Sequence, residues 1–155
     1  MTSNTTKMIM RYKSIIYFFS ILLLQGGLSS CNRERQVAVP YVYVNYTVYL
    51  NNPSNNHLRV PGSYLILPGE GNLGIILYRR TLGEYNDFVA LDLTCTNEPL
   101  GSCKVAIDDT GFYLVCPCCT SKFSIWDGLV AAGPAKWSLK EYATSLTLST
   151  VRIYN

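Results

Sequence analysis

From residue 37 to the C-terminus, short apolar runs alternate with turn residues. Residues 37–50 (VAVPYVYVNYTVYL) are mostly β-branched and aromatic, which predicts one or two strands. Pro40 lacks an N–H, so that segment should begin at a sheet edge. Residues 51–57 (NNPSNNH) read as a turn. Residues 58–67 predict a short strand bent at Pro61-Gly62, followed by a turn over 68–72 (PGEGN). Residues 74–79 (GIILYR) and 87–93 (DFVALDL) form a pair of strands joined by a hairpin loop near Gly83. Residues 104–107 and 111–115 flank a tight turn at Asp108-Asp109-Thr110. Residues 123–126 and 129–130 flank Asp127-Gly128, the strongest hairpin signal in the chain. Residues 146–154 alternate and predict the final strand. Only 138–143 reads as weakly helical. Many short strands between turns predict an all-β antiparallel sandwich or barrel.

The first thirty residues follow a different pattern. Lys7, Arg11 and Lys13 precede an apolar run over 15–24 (IIYFFSILLL), broken by Gln25-Gly26-Gly27. The run is too short for a membrane span, which needs about 20 residues, and suits the core of a signal peptide. Leu28-Ser29-Ser30-Cys31 then has the form of a bacterial lipoprotein box, with Cys31 as the lipidated residue. The expected organisation is a lipoprotein signal peptide over 1–30, the lipidated Cys31 and a polar spacer over 31–36, and one domain over 37–155. Such a protein is held at the bacterial membrane by its lipid and faces the periplasm or the cell exterior.

Charge narrows the list of partners. The 13 basic and 10 acidic residues give +3, and the three basic residues near the start account for the excess. A neutral remainder argues against nucleic acid, which requires a basic face. Tyr supplies 12 residues against five Phe and two Trp, which again favours strands.

The candidate chemistry lies in the cysteines. Beyond Cys31 there are five: Cys95 and Cys103 on one loop, and Cys116, Cys118 and Cys119 on another. Two such loops can converge on a metal or cluster, since a thiolate site needs about four ligands. They can equally be stapled by disulfides, as small exported domains often are. Spacing alone does not choose between the two.

The mature chain resembles the Rieske-type iron–sulfur domain family. That family carries C-x-H and C-x-x-H on two loops, and its second loop reads C-P-C-H-G-S-x-F. This chain has Cys95-Thr96-Asn97 with Cys103 on the first loop. On the second it has Cys116-Pro117-Cys118-Cys119-Thr120-Ser121-Lys122-Phe123. Asp127-Gly128, Gly133-Pro134-Ala135 and Leu139 continue the likeness. The resemblance implies a small Rieske-like antiparallel β fold with two Cys-bearing loops forming a cluster-binding tip. It also implies a Cys103–Cys118 disulfide between the loops and ligands at Cys95, Asn97, Cys116 and Cys119.

The departures bear on the chemistry. Asn97 and Cys119 stand where the two ligand histidines belong, and Thr120 replaces the loop glycine. His57 is the only histidine and lies in an upstream turn, so two imidazole ligands are excluded within one chain. Three states remain open. In one, Cys95, Cys116 and Cys119, with Asn97 or water, hold a labile [2Fe–2S] cluster of low potential. In another, Cys95, Cys103, Cys116 and Cys119 hold zinc, mononuclear iron or a cluster. In the third no metal binds and disulfides form.

No other grouping reads as an active site. Gly69-Glu70-Gly71 and Asp108-Asp109 read as turns, Arg79-Arg80 as a solvated strand end, and Trp126 and Trp137 as packing residues. Two functions compete. One is electron transfer with a redox or protein partner through an atypical Cys-rich site. The other is a degenerate Rieske fold without a cluster, serving as a disulfide-stapled structural or interaction module. With no accompanying catalytic domain, an enzyme is the least expected reading.

Overall fold

The computed structural model describes residues 38–84 and 86–155. The expected signal peptide, the expected lipidation site Cys31 and the expected spacer lie outside the described residues. No helix among the described residues is long and apolar enough to cross a membrane.

Among the described residues ten strands form two antiparallel sheets. They are β1 (Asn45–Tyr49), β2 (Tyr64–Leu67), β3 (Ile75–Arg79), β4 (Phe88–Asp92), β5 (Ala106–Ile107), β6 (Tyr113–Val115), β7 (Lys122–Ser124), β8 (Val130–Ala132), β9 (Glu141–Leu146) and β10 (Thr150–Tyr154). The larger sheet has the order β1-β10-β9-β4-β3-β2 and the smaller β5-β6-β7-β8. The all-β antiparallel arrangement expected from the sequence is present.

The central strands explain the core. Ile75–Arg79 and Phe88–Asp92 are buried along their whole length, which is why both read as continuous apolar runs. Their alternating side chains serve two cores. Ile76, Tyr78, Val89 and Leu91 pack in one cluster with Leu114 and Phe123 of the small sheet, Ile125 just after β7, and Cys95, Cys103 and Cys116. Ile75, Leu77, Phe88 and Ala90 face Val48, Leu58, Tyr142, Val151 and Ile153. The cysteine loops therefore sit at one end of the first core, with the rest of that core as their floor.

Three readings need correction. Pro53–Arg59 is a 3-10 helix, not a turn leading into a strand: Asn52 caps it through the Ser54 N–H, Pro53 starts it, and Leu58 anchors it in the second core. The stretch read as weakly helical enters β9, because Ala90 and Leu91 of β4 offer it a free edge to pair with. Arg79 is not a solvated strand end. It is 7% exposed, and its guanidinium donates to Asp87 Oδ2 at 3.1 Å and to the Leu58 carbonyl at 2.9 Å. The charge stays buried because it is paired and its donors are used.

Candidate metal centre

The two cysteine loops join the sheets. The first runs from the end of β4 to β5 and is closed by the Cys95 N–H on the Cys103 carbonyl at 3.0 Å and a bridge between Thr94 and Lys104. The second connects β6 to β7, closed by Cys116 N–H to Ser121 O and Thr120 N–H to Cys116 O, both 2.9 Å. This turn forces Thr120 to φ 59°, the one positive-φ residue other than glycine among the described residues. It is the position where the resembling family places glycine.

A disulfide joins Cys103 to Cys118 across the loops. Three thiols remain: Cys95 and Cys116 are buried and Cys119 is half-buried. The Sγ atoms of Cys95, Cys116 and Cys119 all lie within 4.8 Å of one another. Cys119 Sγ is 3.5 Å from Cys95 Sγ, and Cys116 Sγ is 3.4 Å from Cys103 Sγ. A second group, Cys103, Cys116 and Cys118, contains the disulfide pair, so only Cys116 there can supply a thiolate.

The thiols differ electrostatically. Burial pushes Cys95 up to about 12, and the neighbouring Cys116 and Cys119 add to the rise while the Asn97 N–H opposes it. Burial would raise Cys119 too. Hydrogen bonds from the Ser121 hydroxyl and N–H, and from the thiols of Cys116 and Cys95, outweigh it and hold Cys119 below an ordinary thiol. Between Cys95 and Cys119, a negative charge therefore settles first on Cys119.

The surrounding polar atoms hold the loops in register. Ser121 is fully buried; its Oγ lies 3.1 Å from Cys119 Sγ and accepts the Ala135 N–H at 3.0 Å. Gly133 crosses directly over it, where a Cβ would come within 2.5 Å of Ser121 Cα, so no side chain is tolerated. Thr96 Oγ1 donates to the Trp137 carbonyl, tying the first loop to the same 133–137 segment. Beneath the first loop, the buried Asp92 accepts from the Thr94 N–H at 2.9 Å, the Asn72 N–H at 2.8 Å and the Tyr142 hydroxyl at 2.8 Å. Ser121, Asp92 and Tyr142 carry no metal-site signal in the sequence; only the position of Ser121 in the second-loop motif hinted at a role.

The expected ligands are placed as follows. Cys95, Cys116 and Cys119 are brought together, and Asn97 is exposed next to them, its N–H directed at the Cys95 sulfur. His57 is exposed on the 3-10 helix, its Nε2 3.0 Å from the Tyr64 carbonyl, beside a residue of the other core. The donor set suits a thiophilic ion or an iron–sulfur group, because three convergent sulfurs are soft ligands. It does not suit a centre with two imidazole ligands. Trp126 and Trp137, read as packing residues, are 47% and 37% exposed.

No family profile and no curated protein matches the chain. Solved structures do resemble it. The plasma membrane Rieske protein of the cyanobacterium Synechocystis shares 22% identity over 74% of this chain and 100% of its own, with a TM-score of 0.49. The ferredoxin of carbazole 1,9a-dioxygenase from Nocardioides aromaticivorans shares 14% over 73% of this chain and 95% of its own, at 0.45. A Sphingomonas yanoikuyae ferredoxin shares 22% over 62% and 88%, at 0.42. Among the described residues the fold is all-β and antiparallel, and its two cysteine loops are linked by a disulfide.

Proposed function

We propose that this chain is a lipid-anchored Rieske-like module that binds a thiophilic metal group through Cys95, Cys116 and Cys119, and that it serves electron transfer. Asn97 or a water completes the ligand set. The observation that carries the reading is the convergence of three Sγ atoms within 4.8 Å at the tip of the fold. An iron–sulfur group there would supply one-electron chemistry; single iron or zinc are the alternatives for the same sulfurs. Thiolates donate negative charge and an amide oxygen is a weak ligand for iron, so an iron–sulfur group here would have a low potential and be lost readily to chelators.

Ala38, Val39 and Tyr41 line a cleft with Thr96, Ser138 and Lys140, so the chain enters the domain beside the first cysteine loop. A lipid on Cys31 would hold the domain at the membrane, where a membrane-held redox partner would meet it.

Iron, zinc and acid-labile sulfide assays with visible and electron paramagnetic resonance spectra on anaerobically purified protein test the metal reading. Stoichiometric metal that is lost on changing Cys116 to Ser supports it. Metal-free protein, together with an Asn97→Cys variant that also fails to bind on reconstitution, overturns it. The domain would then be a stapled structural or interaction module, a reading the inter-loop disulfide favours. For the anchor, Cys31→Ser should leave an uncleaved precursor, whereas normal processing to a soluble form overturns lipidation.

A further inference from the structure

The five sulfurs of the tip form two groups that share Cys116, and they make two close contacts that involve a free thiol. Cys116 Sγ lies against Cys103 Sγ at 3.4 Å, on the side of the existing disulfide. Cys119 Sγ lies against Cys95 Sγ at 3.5 Å. The second pair is asymmetric in access: Cys119 is half-buried, while Cys95 is 1% exposed. A disulfide bond is about 2.0 Å long, so closing this pair requires an approach of about 1.5 Å, within reach of a side-chain rotation.

We propose that Cys119 and Cys95 form a dithiol–disulfide couple whose substrate is an external disulfide, borne by a partner protein or by a small thiol compound. The inference uses two of the cysteines of the proposed metal site but does not depend on metal being bound. The thiolate of Cys119, the sulfur a partner can reach, attacks one sulfur of the external disulfide R–S–S–R. A Cys119–S–S–R bond forms, the R–S–S–R bond breaks, and RS⁻ leaves. Cys95 Sγ then attacks Cys119 Sγ as its thiol proton passes to the departing sulfur, forming the Cys95–Cys119 bond and releasing the second RSH. The two protons of the cysteine thiols end on two RSH, and two electrons pass from the dithiol to the external disulfide. A partner dithiol runs the sequence in reverse.

The burial order assigns the roles. Cys95 is too deep to meet an external disulfide but lies in contact with the sulfur it must attack, which suits a resolving thiol. Cys116 is fully buried; its Sγ is within 4.8 Å of both Cys95 and Cys119, but its contact at 3.4 Å is with Cys103, a sulfur already in the disulfide, which leaves Cys95 and Cys119 as the free pair in contact at 3.5 Å. Closing Cys95–Cys119 also removes two of the three convergent thiolates. Oxidation and metal binding are therefore mutually exclusive at this tip, and an external disulfide would empty the site.

The test uses full-length protein purified anaerobically without reductant, so that the Cys103–Cys118 bond is kept. Metal content is measured, metal is removed with a chelator, and the protein is exposed to oxidised glutathione, alkylated and mapped by mass spectrometry. The expected product carries a Cys95–Cys119 link with Cys116 alkylated. Cys95→Ser should stop at a glutathione adduct on Cys119, and Cys119→Ser should acquire no adduct on Cys95. The proposal is overturned if Cys95 and Cys119 stay alkylatable in the wild type, if the new link involves Cys116, or if Cys119→Ser is modified at Cys95. Metal-free protein that forms the link sinks the metal reading alone, and metal-bearing protein that never forms it after chelation sinks this proposal alone.

Discussion

The Tyr142 hydroxyl donates to Asp92 Oδ2 at 2.8 Å, joining β9 to the end of β4 just before the first cysteine loop. Both residues are buried. Burial first, and then the neighbouring Asp92 carboxylate, push the Tyr142 phenol well above its usual range, so it is a permanent donor. The carboxylate is fully buried and depends on its protein donors. Asp92 also takes Thr94, whose next neighbour is Cys95, so the bond reaches the cysteine cluster through one residue.

Tyr142→Phe removes that donor without changing the ring. The expected cost is about 2 kcal/mol, the usual penalty for a buried acceptor losing a partner. Amide exchange at Thr94 and Cys95 should accelerate more than at β1. Chemical denaturation and hydrogen exchange check this, and a uniform change across all strands would contradict it.

Asp87 makes folding stability depend on acid. Burial would raise its pKa, but the N–H groups of Glu84 and Gly83, the Thr81 hydroxyl and the Arg79 guanidinium outweigh burial and hold it below the ordinary carboxylate value. A folded-state pKa below the unfolded one contributes stability that is present above about pH 4. It is lost as pH falls through the folded-state value. Asp87→Asn breaks the buried pair with Arg79, at an expected cost of about 3 kcal/mol at neutral pH. Its stability should then fall less steeply than wild type below about pH 4. Parallel stability curves for the two proteins would contradict the assignment.

Thr120 sits at φ 59°, where a β-branched residue is strained and glycine is not. Thr120→Gly should stabilise the domain by about 1 kcal/mol, the relief of the left-handed conformation exceeding the extra entropy of an unfolded glycine. Thr120→Val should be no more stable than wild type. Thermal unfolding of both variants decides the point. A destabilised glycine variant would mean that the Thr120 hydroxyl, 2.7 Å from the Cys119 carbonyl, matters more than the strain.

The Cys103–Cys118 bond closes a separation of 15 residues. Constraining a loop of that length is worth about 3 kcal/mol in the chain-entropy view. The double variant Cys103→Ala/Cys118→Ala should lose roughly that amount by the same argument and become insensitive to reductant. Denaturation with and without a thiol reductant provides the comparison. A variant that still responds to reductant would show that another disulfide supplies the effect.

Much of the fold was legible because strand signals are local. Runs such as residues 75–78 and 88–91 are apolar on both faces, and the turn residues between them mark where the chain reverses. Pro53 after the capping Asn52 was a helix-start signal, yet the polar run NNPSNNH matched turn chemistry as well, and only Leu58 docking in the second core distinguishes the two. The segment that enters β9 had weak preferences of its own. Its strand state comes from pairing with β4 and β10, partners distant in the chain.

For the site, the residue order alone was enough to put five cysteines on two loops and to exclude a pair of imidazole ligands, because the amino-acid inventory limits what donors any fold can assemble. It left metal and disulfide chemistry equally weighted, since loop spacing does not say which sulfurs meet. That depended on the sheets. The pairing of β6 with β7 and the passage of β4 into β5 bring the loop ends together, and burial then separates one thiol that solvent reaches from two that it does not. Arg79 follows the same logic: a charge at a strand end is solvated by default, and becomes buried only where another element supplies Asp87 and the Leu58 carbonyl to receive it. Local pattern is written in neighbouring residues, whereas the meeting of sulfurs and the pairing of a buried charge are properties of distant segments packed against one core.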